Sequence, residues 1–247
     1  MGMKYLISCS LLAALLLFAA CTPRPSKAEL RRVEKHAQDS IALEEQQRSL
    51  EYYQSQLEQL QPVADSLLTF FQYDKQEKYQ DHGFYGFRSQ QSQRNTNRSY
   101  LQVLVRDDGQ PLVRCYYYGA QRIGFEQVEL AAGDMAVLLS GSSHAFEAEG
   151  WHQMLTLTDS AALQAMKWAD AYASQRVRVR YMEHGRAGFV FYLSEADKTA
   201  MRQACQLSVV MSDIYELEKR IRRTSLEVEK YQKRLQKAET FAYVRKK

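Results

Sequence analysis

From Ser194 to Lys247 the chain contains neither proline nor glycine, and apolar or small residues recur through it at alternating three- and four-residue intervals: Leu207, Val210, Ile214, Leu217, Ile221, Thr224, Val228, Tyr231, Leu235. A 3-4 rhythm held over that distance fits a helix with one narrow apolar stripe, and a stripe so narrow is a seam that needs a partner. Ser194 followed by Asp197 starts the helix as a capping box, so its predicted span is 194–240, with a basic tail at 241–247. Glu216–Arg220, Glu218–Arg222 and Glu229–Lys233 stand four apart in the favourable order, each worth a few tenths of a kcal/mol.

A second stretch has the same pattern. Leu43, Leu50, Tyr53, Leu57, Leu60, Ala64, Leu67 and Phe71 keep the rhythm with Gln46 as a polar member, and Ser26 with Glu29 supplies the start, so a helix is predicted over 26–73. Upstream, Leu30, Val33 and Ala37 sit on a shifted phase, which reads as a stutter. Pro62 lies off the seam but removes a backbone donor, so a kink is expected near 62. Two helices of similar length invite an antiparallel pair, which would make a stalk for whatever they enclose. The other use of such seams is pairing with a second copy or another protein.

Between them, residues 82–193 change character. Nearly all the glycines fall here, with strand-like runs at Phe84–Arg88, Tyr100–Arg106, Leu112–Tyr118, Phe125–Leu130, Met135–Leu139, His144–Glu147, His152–Leu157, Arg176–Met182 and Ala187–Leu193. Asp107-Asp108-Gly109 and Glu183-His184-Gly185 read as hairpin turns. One helix over 160–174, capped by Asp159, interrupts the strands. The fold class expected is α+β: a small, mostly antiparallel β domain with one inserted helix, carried between two long coiled-coil-like helices.

The first residues bear on compartment. Lys4 precedes an uncharged apolar run from Leu6 to Ala20, the pattern of a secretory signal over 1–20. At 15 residues it falls short of the ~20 that cross a bilayer core. Phe18-Ala19-Ala20-Cys21 resembles the lipobox of bacterial lipoproteins, with Phe18 where that family usually has Leu. The resemblance implies lipidation of Cys21, a tether over 21–25, and, since Thr22 rather than Asp follows the cysteine, an outer-membrane anchor with the body facing the periplasm. Anchoring by more than one acyl chain is stable where a single chain is marginal. The body resembles envelope lipoproteins that carry a compact domain between long helices, a likeness that brings no activity with it.

Two further cysteines, Cys115 and Cys205, would stand in a compartment that permits disulfides, as a bridge or as two buried thiols. A formal charge of +4 is too mild to argue for nucleic acid, and export argues against it. Serine-hydrolase, zinc-protease, phosphate-loop and dinucleotide motifs are absent from the sequence, and nothing in it calls for a cofactor or metal. Ser142-Ser143-His144 sets hydroxyls beside an imidazole without an orienting third group. Two surfaces remain as binding candidates. Arg176, Arg178 and Arg180 alternate with Val177, Val179 and Tyr181, so one face of a strand carries three guanidiniums able to grip carboxylate or phosphate, or to pair with acids across the sheet. Tyr116-Tyr117-Tyr118 must send at least one ring outward, and Tyr117 is taken as the candidate. The function expected is a non-enzymatic, membrane-anchored binder of a protein or glycan, with a hydrolase of envelope glycan or peptide as the alternative.

Overall fold

Ser26 and Glu29 close the box that their spacing predicts: the Ser26 N–H donates to Glu29 Oε2 at 2.8 Å and the Glu29 N–H to Ser26 Oγ at 3.2 Å. The computed structural model in which this is seen describes residues 26–75, 82–91, 98–147 and 150–244. The expected signal 1–20, the tether with Cys21, and the tail residues 245–247 lie outside the described residues. The first helix, α1 (Lys27–Leu68), remains helical through Pro62. It is shorter than expected: the Thr69 hydroxyl and the Phe70 N–H bond back to Ser66 O and Leu67 O, and Phe71–Asp74 turns out to be a strand, β1. The aromatic run there gains more from sheet packing, with Phe71 set edge-on to Phe87 at 5.4 Å, than from one more helical turn. The β region therefore begins at Phe71 rather than 82.

After β1 come β2 (Phe84–Phe87), the single turn α2 (Arg88–Gln91), β3 (Tyr100–Arg106), β4 (Pro111–Gly119), β5 (Gln127–Ala132), β6 (Met135–Ser140), β7 (Ser142–Glu147) and β8 (Trp151–Thr158). Then follow α3 (Asp159–Ala171), β9 (Arg178–Glu183), β10 (Arg186–Tyr192) and α4 (Glu195–Val244). Two antiparallel sheets result, in the orders β1-β2-β3-β4-β8-β7 and β10-β9-β5-β6. They enclose one apolar core, which α3 and the first turns of α4 complete through Ala162, Ala165, Met166, Ala200, Met201, Ala204 and Leu207. The long helices flank this β region in sequence, so the class is α+β.

The inserted helix differs at its start. β8 runs into α3 without a loop, so one residue must reverse the chain, and Asp159 does so at φ +49°, a left-handed conformation that Asp tolerates better than most. Thr158 then holds the N-cap position with no side-chain bond, and the helix ends at Ala171, three residues before the expected 174. The predicted turns are present: His184 (φ +46°) and Gly185 (φ +79°) both take the left-handed geometry that a two-residue hairpin demands.

Among the described residues the chain divides into two compact units, 51–222 and the pair 26–50 with 223–244. In the second of these, Asp39 faces Arg234 at 3.7 Å, and Leu43, Gln46 and Leu50 of α1 are covered, as are Thr224, Val228, Tyr231 and Leu235 of α4. In the first, Arg220 of α4 lies over the Tyr53 ring at 5.9 Å, rather than reaching Glu216, and the two helices share a hollow lined by Gln56, Leu60, Asp213 and Leu217. In each unit, then, the contact joins a residue of α1 to a residue of α4 in the same chain. The shifted residues upstream find no cover: Leu30 is 48% and Val33 68% exposed.

α4 is fixed to the sheet at one close approach. The Ser208 hydroxyl donates to Gly109 O at 2.6 Å, and a Cβ on Gly109 would stand 2.3 Å from the Ser212 nitrogen. Gly109 also has φ +86°. Gly109→Ala is thus expected to cost about 2 kcal/mol or more in urea unfolding, through strain and through lifting α4. A change under about 0.5 kcal/mol would contradict this contact.

Candidate functional site

The phase of β9 decides what its sheet displays. Val177, Val179 and Tyr181 are fully buried, and the Tyr181 hydroxyl reaches Tyr100 O and Tyr116 O of the opposite sheet, each at 3.1 Å. Burial pushes that hydroxyl well above the usual tyrosine range. Strand alternation then turns Arg178 and Arg180 to the outer face, while Arg176 precedes the strand. Registers place Tyr192, Arg178, Ala131 and Ala136 in one row across four strands, and Val190, Arg180, Glu129 and Leu138 in the next.

The three guanidiniums have different surroundings. Arg180 donates through Nε and Nη2 to Glu129 Oε1, the cross-strand pairing open to such a stripe, so its charge is answered within the sheet. Arg176 lies over the Tyr192 ring at 3.7 Å. Arg178 Nε is shielded from solvent and has no acceptor among the described residues.

For the tyrosine triplet the choice of ring needs correcting. Val113 and Cys115 point into the core, so Tyr117, two residues on, does too: it is 7% exposed, lies edge-on to Phe189 at 5.3 Å and donates to Gln121 O. Tyr116 and Tyr118 are the outward pair, with Tyr116 stacked on Tyr100 at 5.2 Å and Tyr118 tilted over His152 at 4.9 Å. The signal was present in the sequence, since the apolar Val113 and Cys115 set the inward phase.

Cys115 and Cys205 are free thiols. Cys115 lies under the sheet beside Tyr181, whereas Cys205 on α4 faces Lys167 and Asp170 of α3, so their surroundings are separate. Burial pushes both thiols up, away from the reactive thiolate. Ser143 and His144 are neighbours on β7 and so face opposite sides of the sheet, with Ser143 accepting a bond from Gln153. Among the described residues no group of three or more His, Cys, Asp or Glu is placed to hold a metal ion, and no helix is long and apolar enough to cross a membrane.

Sequence patterns did not disclose two buried polar residues. Gln90 continues the β3 ladder where β2 leaves it, accepting from Val103 N–H and donating to Leu101 O and Asp197. Lys198 places its ammonium on Ala173 O, Gln175 O and Glu195, closing the exit of α3. A hollow of about 260 Å³ beside the β3–β4 turn is lined by Asp159, Asp213, Ser208 and Ser212, but the Ser208 hydroxyl is committed to Gly109.

No family model, curated protein or solved structure matches the chain. Inward and outward tyrosines should separate in stability: Tyr117→Ala is expected to cost about 3 kcal/mol in denaturant unfolding and Tyr118→Ala about 1 kcal/mol or less. Equal costs would reverse the assigned phase of β4.

Proposed function

We propose that this protein is a lipid-anchored component of a bacterial cell envelope, held through Cys21 at the outer membrane, whose β domain binds an envelope component without transforming it. The observation that carries the binding part is the outer face of the β10-β9-β5-β6 sheet. It is a broad surface on which Arg176, Arg178 and Tyr192 stand beside the exposed apolar Val190 and Leu138, the last 52% exposed. Arginine and aromatic residues on a mixed face suit recognition, since they combine planar hydrogen bonding with stacking area. The lipid part is supported by the lipobox-like Phe18-Ala19-Ala20-Cys21 alone.

The alternative, a hydrolase of envelope glycan or peptide, has one observation in its favour: Asp159 and Asp213 line the same hollow. Two carboxylates are the minimum for acid and base work on a glycosidic bond. No imidazole lines that hollow, and of the two serine hydroxyls in its lining Ser208 already has its acceptor.

The test combines anchoring with capture in intact cells. Labelled fatty acid is expected to enter the wild type and not Cys21→Ala, and a photoreactive residue at Val190 should yield one dominant envelope adduct. Loss of that adduct on adding Arg178→Ala would fix the face. Unchanged membrane retention of Cys21→Ala would overturn the anchor, and release of glycan or peptide fragments that stops with Asp159→Asn would favour the hydrolase.

A further inference from the structure

Among the described residues each sheet has two edge strands, and three of the four are blunted in ways that discourage pairing with another strand. β1 is only four residues long and ends on Asp74, and β7 carries His144 and Glu147. β10 opens on Arg186 and is bulged between Ala187 and Phe189, where a Cβ on Gly188 would stand 3.2 Å from the Ile123 Cβ. β6 has none of these devices: Met135-Ala136-Val137-Leu138-Leu139-Ser140 contains no charge and no proline, and its register on β5 is unbroken. It pairs with β5 alone, and among the described residues its backbone makes no hydrogen bond outside that ladder. An edge strand in an antiparallel ladder bonds its one neighbour at every second residue, so the alternate N–H and C=O groups of β6 face outward. The side chains leave the same strip open: Met135 is 57% and Leu138 52% exposed, Ala136 and Ser140 are exposed, and Val137, although it points inward, is only half-buried.

We propose that two copies of this chain join β6 to β6, antiparallel about a two-fold axis through Val137, so that two four-stranded sheets become one. The edge is complementary to itself in that register. Ala136 comes opposite Leu138 on the outer face and Met135 opposite Leu139 on the inner, small or flexible against large in each pair. At both ends Asp134, exposed and without a partner among the described residues, comes opposite Ser140, whose hydroxyl accepts from Gln127 and keeps its own hydrogen to donate. Centring the axis one residue earlier sets Asp134 against Leu138, and one residue later sets Met135 against Gly141. Strand addition by another protein would use the same backbone groups, but the matching of these side chains to one another favours a second copy. Six residues a side is well below the roughly 20–30 of a standard interface, so the dimer is reversible. The two outer faces then lie on one side of the joined sheet, with Arg178 and Tyr192 of both copies on that side, and the pairing does not depend on what that face binds.

The test is sedimentation of the full chain in detergent over a concentration series, joined to a disulfide reading of register. A reversible monomer–dimer equilibrium is expected, and Leu138→Lys, which adds a charge at an exposed position, should raise its dissociation constant at least tenfold with the circular dichroism spectrum unchanged. Mixing Ala136→Cys chains with Leu138→Cys chains under mild oxidation should give a disulfide joining positions 136 and 138, mapped by mass spectrometry. Neither variant alone should form a link at its own position, because like positions then lie diagonally, beyond the reach of a disulfide. A chain that stays monomeric at the highest attainable concentration overturns the proposal. So does a dimer that Leu138→Lys leaves intact, or one in which 136 and 138 are never joined. A photoreactive residue at Leu138 that captures only other proteins in cells overturns it as well, since the edge would then serve a foreign strand.

Discussion

The Tyr181 phenol ties one sheet to the other. Tyr181 is fully buried, stacks on Phe125 at 4.3 Å, and its hydroxyl lies 3.1 Å from carbonyls on two neighbouring strands of the other sheet. A strand has one phase, so committing Tyr181 inward commits every second residue of β9 outward. Shifting β9 by one residue would place guanidiniums in an apolar core, at a cost of many kcal/mol per unpaired charge. The Arg face is thus a consequence of how the core is filled, and its rigidity comes from the core beneath it.

The same logic applies where the backbone leaves regular pairing. Gln90 supplies a donor and an acceptor in place of a missing strand, and Lys198 meets two carbonyls at the end of α3. Each removes an unsatisfied buried group that would otherwise weaken the ladder or the helix exit. At the β3–β4 turn, burial alone would push the Asp108 carboxyl up, but hydrogen bonds from Arg106 and from the Gln110 N–H hold it below the ordinary carboxylate range. That turn is where α4 rests, so a charged pair, a glycine and a serine hydroxyl jointly set where the long helix departs.

Local rules were legible in the sequence. Both capping boxes, both long seams, the hairpin turns at Gly109 and Gly185, and nine of the strands follow from residues within a few positions of one another. What was not legible depends on distant neighbours. Phe71 fits a helical seam as well as a strand, and only Phe87 decides between them. Asp159 looks like a cap until β8 is seen to enter the helix directly. Tyr117 was assignable from Val113 and Cys115, since alternation alone carries the phase, whereas Gln90 and Lys198 carry no periodic signal. Within the candidate site, the outward Arg stripe was readable; its division into a guanidinium paired with Glu129, one stacked on Tyr192 and one whose Nε has no acceptor among the described residues needed the registers of β5 and β10.

Tyrosine nitration with peptide mapping tests the inward commitment of β9 most directly, because reagent access reports which face each ring occupies. The account predicts that Tyr192 is modified in the folded chain, whereas Tyr181 and Tyr117 stay unmodified until unfolding. Modification of Tyr181 at the rate of Tyr192 in the native protein would contradict it, since the Arg face would then have no fixed phase to stand on.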